Sequence, residues 1–489
     1  MKEKLTAFLL ASVLFTPVVG INFSLDDLYL SQEEILGKST FTDSLFSGQL
    51  FTNWIYGENK VSVNIWNPDL TISGLSGDTQ QVIVQTTKGS YTQISEDFTD
   101  ADVEILYNDS TSSFALVEMN IDDIAQKFWS SIFSNKETLA DKSYVTTISL
   151  NQEFSLDLPQ AEYADKNDVA RTTYELCEDY GILELNYTGD NISIAVLDTG
   201  IIRDQKGFTN ATSGFNTTIY NESFVMGESW KDGNGHGTHC AGIIAGQNTT
   251  IDNVKMRGVA PNATIYSLKV LDSKGRGTED AIIKGIKRAV ELNCDIISMS
   301  LGGSINYFSA LQDAIQYAIG KGVIVVAAAG NSAQITSAQP ASWEGVISVE
   351  ALKENKHIAE YTNLGGDIAA EGTNITSLDF NNKNGTATMS GTSMATPFVA
   401  GCIALLLEAQ PSLRGNPTKV SSYLSNTGSV VPKTTKQVTF GYVLPGTPEK
   451  YRYDTNEVDP SNLIELDEMS TSIIPISDVS TQLLRYNGV

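Results

Sequence analysis

Three short stations in this 489-residue chain carry side chains suited to acid–base or nucleophilic chemistry. At Asp198-Thr199-Gly200 a carboxylate ends the apolar run Ile192 to Leu197, and open α/β sheets place their sites beyond such strand ends. An Asp ahead of a Gly is also an ordinary turn, so this station decides nothing alone. At Asp232-Gly233-Asn234-Gly235-His236-Gly237-Thr238-His239-Cys240-Ala241-Gly242 two of the three histidines sit among small residues, where a helix can begin and a substrate can approach closely. Zinc is the weak alternative there. His236 and His239 are three apart, but the Glu of a His-Glu-x-x-His helix is missing and His357 is remote. At Gly391-Thr392-Ser393-Met394-Ala395-Thr396-Pro397 a serine stands where a long apolar helix begins. The positive end of a helix suits a nucleophile that must become alkoxide-like, although a plain N-cap would also be a serine.

Together the stations supply Asp, His and Ser in that chain order, one of the orders found in Ser-His-Asp hydrolases. An α/β-hydrolase needs its His after the nucleophile, and all three histidines here precede Ser393, which excludes that arrangement for this serine. His357, beside Lys353-Glu354-Asn355-Lys356, reads as a solvated surface residue.

The motifs Val196-Leu197-Asp198-Thr199-Gly200, Gly235-His236-Gly237-Thr238-His239 and Gly391-Thr392-Ser393-Met394-Ala395 closely resemble the subtilisin family of serine proteases. The likeness is greatest to the branch typified by proteinase K and covers roughly residues 175–430. It implies that Ser393 attacks the scissile carbonyl and that His236 takes its proton and passes it to the leaving amine. Asp198 would orient and stabilise the imidazolium, and His239 would be structural. The family also implies an oxyanion donor, for which Asn331 in Ala327-Ala328-Ala329-Gly330-Asn331-Ser332 is the candidate; a turn residue is the plainer reading.

Substrate is expected to lie extended between two backbone edges, Gly275-Arg276-Gly277 and Ser300-Leu301-Gly302, because glycines let a peptide main chain come close. The segments matching the family's primary pocket, Ser300 to Gly303 and Ala327 to Ser342, contain no Asp or Glu. Burying a basic side chain there unpaired would be costly, so broad cleavage after apolar or aromatic residues is expected. Glu344 lies just beyond the second segment.

The chain also departs from its relatives. Phe398 stands where many have His, a packing position. The loop Gly246 to Arg257 is longer than in the bacterial members that bind calcium there; no cofactor is required by the chemistry, and a structural calcium site is left open and unplaced. Cys177, Cys240, Cys294 and Cys402 do not fall at the positions bridged in proteinase K. Cys240 follows His236 by four residues, on the same helical face, and is expected to be a buried free thiol behind the base.

The elements that must position these residues form an alternating pattern. Ile192 to Leu197, Thr264 to Val270, Asp295 to Met299, Val323 to Ala328 and Val346 to Val349 are apolar runs, with helical stretches at Glu279 to Leu292 and Phe308 to Lys321. Strands apolar throughout, separated by helices, predict an α/β fold: a parallel sheet covered by helices on both faces, here over 175–444. Helices at about Ser393 to Ala409 and Thr418 to Ser425 close it. Ahead of it, 75–155 reads as a small α+β unit with strands at Gln81 to Gln85, Asp102 to Tyr107, Ser113 to Met119 and Tyr144 to Leu150. Its helix is capped by Asn120, with Ile121, Ile124, Phe128 and Ile132 at near-helical spacing. In arrangement this unit, followed by Asn151 to Arg171, resembles the inhibitory propeptide of the family, which templates folding and leaves its end in the active site until cut.

Residues 1–20, with Lys2 and Lys4 ahead of the apolar run Leu5 to Val19, read as a secretory signal peptide. An uncleaved anchor is the alternative, but the run is short for a bilayer and contains Pro17; no other stretch is expected to span a membrane. No fold is assigned to 21–74, and 445–489 is an acidic extension, flexible or docked. Sequons begin at Asn22, Asn108, Asn186, Asn191, Asn210, Asn216, Asn221, Asn248, Asn262, Asn374 and Asn384, which fits a eukaryotic secretory route with a subset glycosylated. Apolar residues at 41% and charged residues at 18% are the mix of a globular protein. The net charge, 32 − 58 = −26, repels polyanions and argues against nucleic acid as a partner. The sequence therefore describes a secreted serine endopeptidase made as a self-processing zymogen, acting on protein or peptide substrates and held by its own propeptide. The alternatives are a catalytically silent relative serving as a binding or wall protein, and a processing protease selective for basic residues.

Overall fold

The computed structural model describes residues 79–87, 103–109, 114–120, 145–156, 169–303 and 309–427, with further short strands at Asn53–Tyr56, Val61–Asn64, Ser429–Val431 and Thr471–Ile473. The signal peptide, most of 21–74, the helix after Asn120 and most of 445–489 lie outside the described residues. The chain divides into two compact units, 1–53 with 65–78 and 54–64 with 79–489; the small sheet and the main α/β body both belong to the second.

Strands β1 (Thr79–Thr86), β2 (Val103–Asp109), β3 (Phe114–Asn120) and β4 (Val145–Leu150) form an antiparallel sheet in the order β2-β3-β1-β4. All four match expected strands to within a few residues. Phe114 and Leu116, two apart on β3, lie on one face of the pleat and join Ile83 of β1 in a hydrophobic cluster shared with the main α/β body. A three-residue strand, β5 (Glu153–Ser155), follows. The chain is next described at β6 (Arg171–Thr172), which leads into α1 (Thr173–Asp179) through a reciprocal capping box between Thr172 and Glu175.

The main α/β body then runs β7 (Ser193–Asp198), β8 (Ile219–Ser223), α2 (His236–Ala245), β9 (Thr264–Lys269), β10 (Arg276–Thr278), α3 (Glu279–Glu291), β11 (Ile296–Met299), α4 (Ser309–Gly320), β12 (Ile324–Ala328), β13 (Val346–Leu352), β14 (Ile368–Glu371), β15 (Ile375–Leu378), β16 (Thr386–Met389), α5 (Thr392–Ala409) and α6 (Pro417–Thr427). Seven of its strands make one parallel sheet in the order β8-β9-β7-β11-β12-β13-β14. Thr471–Ile473 adds to the β14 edge and Ser429–Val431 pairs antiparallel with it.

Alternation along β7 shows why both faces must be covered. Ile194 and Val196 pack with residues of α2 and α5, while Ala195 and Leu197 pack with residues of α3 and α4. α5 is long and apolar enough to cross a membrane by length and composition, yet 89% of it is buried in the protein, where it fills the core between α2 and the sheet. From β7 the chain builds β8 and β9 on one side, then crosses to build β11 through β14 on the other. The strand order therefore reverses beside β7, the position at which open α/β sheets form a crevice outside the carboxyl ends of their strands.

Candidate active site

Asp198 is the last residue of β7 and stands in that crevice. Its two carboxylate oxygens each lie 2.9 Å from Nδ1 of His236, the first residue of α2. A carboxylate only accepts, so Nδ1 carries the proton and Nε2 holds the lone pair. Nε2 is buried with no hydrogen-bond partner. Burial disfavours the imidazolium, but the Asp198 carboxylate outweighs it and raises the His236 pKa well above its usual value. Close approach requires glycine beside the histidine: a Cβ on Gly237 would lie 2.2 Å from the Gly200 carbonyl and 3.2 Å from Asp198 Oδ1.

A second buried carboxylate builds the turn that delivers His236. Asp232 Oδ1 accepts from Thr199 Oγ1 at 2.9 Å, Asn234 N at 2.9 Å and Gly235 N at 2.8 Å, and its Oδ2 accepts from Thr238 N at 2.9 Å and Thr238 Oγ1 at 2.6 Å. Thr199 in turn receives Gly237 N at 2.9 Å and donates its own N–H to Asp198 Oδ1 at 2.7 Å. Lys269, fully buried at the end of β9 and paired in register with Asp198, donates to the Thr199 carbonyl at 2.7 Å and the Leu271 carbonyl at 2.6 Å. Glu228 at 3.2 Å balances its charge.

Ser393 is buried in the first turn of α5. Its Oγ donates to the Ser300 carbonyl over a long 3.4 Å rather than to His236; such bonds commonly tighten only when substrate is bound. Its main chain is held more firmly. Pro397, four residues on, has no N–H to give the Ser393 carbonyl, and that oxygen instead accepts Ser300 Oγ at 2.9 Å and Cys240 Sγ at 3.4 Å. Asn331, buried beyond the end of β12, accepts Thr392 N at 2.8 Å and Thr392 Oγ1 at 3.1 Å on its Oδ1. The residue before Ser393 thus fixes which end of the Asn331 amide is which.

The two expected substrate edges flank one short strand. β5 pairs antiparallel with β10, Ser155 opposite Arg276 and Phe154 opposite Gly277. Leu156 N donates to the Gly275 carbonyl at 2.9 Å, and Ser155 forms an antiparallel bridge with Gly302. Gly275, with φ +75°, lies so close that a Cβ there would be 2.7 Å from Leu156 Cδ1. Phe154 is buried and belongs to the hydrophobic cluster that also holds Leu271, Ile282, Leu301 and Leu311. Gly303 N bonds the Gln339 carbonyl at 3.0 Å, joining the two segments expected to line the primary pocket. Glu344 is exposed.

Other expected positions fall into place. His239 Nε2 reaches the Ile375 and Ala387 carbonyls, each at 3.1 Å, tying α2 to β15 and β16. Burial and the neighbouring His236 push its pKa down to about 4, so it is a neutral structural residue. Phe398 is buried against the Tyr180 ring at 5.3 Å, and His357 is exposed. Cys240 is a buried free thiol with Sγ 3.8 Å from His236 Nδ1.

The loop 246–257 is an antiparallel hairpin, Thr249–Ile251 with Val254–Met256, turned through Asp252 and Asn253 at positive φ. Its one carboxylate, Asp252, is exposed. Among the described residues the one cluster of His, Cys, Asp and Glu able to hold a metal is Asp198, His236 and Cys240, where the pair already bonds to itself.

Sequence reasoning missed Asp232, Lys269 and Thr392 as positioning residues. A lysine inside the apolar run Thr264 to Val270 was the available signal for Lys269, since a charge on a doubly covered strand must find partners.

A model of the subtilase family matches residues 189–443. The chain is 38% identical over 248 residues to Subtilisin DY of Bacillus licheniformis, covering 50% of this chain and 85% of that protein. It is 35% identical over 289 residues to Subtilisin NAT of Bacillus subtilis subsp. natto, covering 55% and 72%. To Subtilisin Savinase of Lederbergia lenta it is 37% identical over 250 residues, covering 50% and 87%.

Proposed function

The chain belongs to the subtilase family and is a serine endopeptidase of that type, and on that premise we propose that Ser393, His236 and Asp198 form its catalytic triad. The observation that carries this reading is the buried Asp198–His236 pair with Nε2 unpartnered, in the same crevice as Ser393. Ser393 Oγ adds to the substrate carbonyl while His236 Nε2 takes its proton. Asp198 holds the imidazolium that results, and the Asn331 amide stabilises the oxyanion. His236 then gives the proton to the departing amine, and water repeats the sequence on the acyl ester. These steps need no cofactor.

The enzyme is made as a secreted zymogen, with β5 and Leu156 occupying the substrate cleft as an intramolecular inhibitor. Support comes from the antiparallel pairing of β5 with β10 and its bridge to Gly302. Protein and peptide substrates enter the same way, with broad preference for apolar or aromatic residues before the cut. The absence of any Asp or Glu from Ser300–Gly303 and 327–342 supports that preference. Among the described residues, the sequons whose asparagines are exposed, Asn186, Asn191, Asn216, Asn248 and Asn384, are the ones to carry glycans.

Incubation of the mature enzyme with an organophosphorus fluoride should label Ser393 and abolish peptidase activity. An intact, folded chain that neither takes the label nor cleaves casein would instead be the catalytically silent binding protein.

A further inference from the structure

We propose that Arg171 is a positioning residue for the reaction: through Glu371 and Gly372 its guanidinium fixes Gly391, the residue that opens α5, and so fixes Ser393. This rests on the triad assignment above and deepens it by naming what holds the nucleophile's turn from behind. Arg171 begins β6, with Ile375 of β15 as its register partner. Arg171 and Glu371 are both buried, and Arg171 Nη1 donates to the two Glu371 oxygens at 3.0 and 2.8 Å. Its Nη2 bonds the exposed Asp179 at 2.5 Å. Lys356, with its ammonium 4.0 Å over the Tyr180 ring, gives Glu371 a second cation. Burying such charges adds little stability, because their desolvation offsets their attraction, so the pair is better explained by what it places.

What it places is the end of β14. Glu371 is the last residue of that strand, and the next peptide unit is bonded on both sides. Gly372 N donates to the Leu352 carbonyl at 3.0 Å, while the Gly372 carbonyl accepts Gly391 N at 2.8 Å and Tyr361 Oη at 3.2 Å. Gly391 is the N-cap of α5, two residues before Ser393, and its own carbonyl accepts Met394 N at 3.0 Å. The two glycines touch: a Cβ on Gly372 would lie 2.5 Å from the Gly391 carbonyl oxygen. A shift of Glu371 therefore passes to the nucleophile's turn instead of being absorbed on the way. The Arg171 main chain reaches the same turn by a second route. Its N–H donates to the Asn374 carbonyl at 2.9 Å, Asn374 N donates to Ser390 Oγ at 2.9 Å, and Ser390 Oγ donates to Asn374 Oδ1 at 3.2 Å. Both routes from Arg171 end on Ser390 and Gly391, consecutive residues leading into Thr392 and Ser393. Neither route passes through Asp198, His236 or the edges 275–277 and 300–302. Loss of Arg171 should therefore misplace the attacking oxygen while leaving substrate binding and the basicity of His236 as they are, and a misplacement of about 1 Å costs about 10²-fold in rate.

The test uses the mature enzyme made from the full chain, with kcat expressed per active site titrated to completion by the organophosphorus fluoride, so that unfolded molecules drop out of the rate. Arg171→Met should lower kcat per titrated site about 10²-fold, with KM little changed and the acidic limb of the pH profile unmoved. Arg171→Lys keeps the charge but cannot hold Glu371 and Asp179 in one plane, and should lose about tenfold. Asp179→Asn spares the Glu371 pair and should stay within about threefold of the parent. Should Arg171→Met fail to fold, Glu371→Gln, which keeps the shape and removes only the charge, carries the test with an expected loss of about tenfold. A merely structural ion pair would lower the melting temperature and the number of titratable sites and leave kcat per site unchanged. That result, a loss appearing in KM instead of kcat, or an Asp179→Asn loss equal to that of Arg171→Met, overturns the proposal. If it falls while the parent still labels at Ser393 and cuts casein, the positioning role fails and the triad stands; if the parent does not label, the triad assignment is the part that is wrong.

Discussion

The base half of the site and its nucleophile half are held by different forces. Around His236 the stabilisation is ionic: Asp198 faces the ring, Asp232 gathers five donors from the turn and from α2, and the buried Lys269 ties down the chain just after Asp198. Around Ser393 the first contacts are neutral: the Ser300 hydroxyl, the Cys240 thiol, and Thr392 bonded to the Asn331 amide. The difference follows from when charge appears. An imidazolium must be accommodated each time the serine is deprotonated, so a well-tied carboxylate beside His236 is useful. The oxyanion exists only in the tetrahedral state, and oriented dipoles serve it without a counter-charge that would bind the ground state equally well.

Breaking the ionic half should have the larger effect. Asp198→Asn keeps the shape but allows the amide to donate to Nδ1, leaving the wrong nitrogen with the proton, and should lower kcat about 10⁴-fold. It should also move the pH profile. His236 works as a base only when neutral, so kcat/KM rises with pH as the imidazolium loses its proton. With Asp198 raising the His236 pKa, the acidic limb should lie above pH 6.5 in the parent, and in Asp198→Asn it should shift downward. A limb unmoved by the substitution would separate the carboxylate from the base it is assigned to.

Removing the neutral dipole should cost less. Asn331→Ala should lower kcat by about 10²–10³ with KM little changed, because the amide acts in the transition state. Its structural link is to Thr392, so the variant's melting temperature must be measured beside its turnover. Near-normal turnover in a folded Asn331→Ala would remove the residue from the mechanism.

Legibility in the sequence followed burial and rarity. Asp198, His236 and Ser393 stood out because reactive side chains were embedded in runs of small residues, and β7, β9, β11, β12 and β13 because strands covered on both faces are apolar throughout. β8 was missed: Ile219-Tyr220-Asn221-Glu222-Ser223 is a half-exposed edge without an apolar run. β14 is only four residues long, too short to show a period. The work of Asp232 was hidden for another reason. Its residue was in plain view within the histidine motif, but its partners Thr199 and Thr238 meet only when β7 and α2 pack. The same holds for the pairing of β5 with β10, since nothing in Gln152 to Leu156 announces a bond to Gly275, some 120 residues away. Pro397, four residues after Ser393, removes that carbonyl's helical donor, but the replacements, Ser300 Oγ and Cys240 Sγ, meet it only in the fold.

Cys240 is the side chain that meets both halves, and it should matter least to the unmodified enzyme. Its Sγ lies 3.8 Å from His236 Nδ1 and donates to the Ser393 carbonyl at 3.4 Å. Neither contact is needed for proton transfer: Nδ1 is already served by Asp198, and the Ser393 carbonyl keeps Ser300 Oγ. Burial raises the pKa of the thiol, so it stays protonated and reacts slowly with reagents that need a thiolate. Cys240→Ser should therefore change kcat by no more than about threefold, a loss near 0.6 kcal/mol. Modification is another matter. A bulky mercurial on Sγ has no space between two buried halves and must displace His236 from Asp198, so the parent should lose activity slowly but almost completely, with recovery on adding excess thiol. The Cys240→Ser enzyme should resist. Its full sensitivity would move the effect to Cys177, Cys294 or Cys402 and show that the two halves can separate without passing through Cys240.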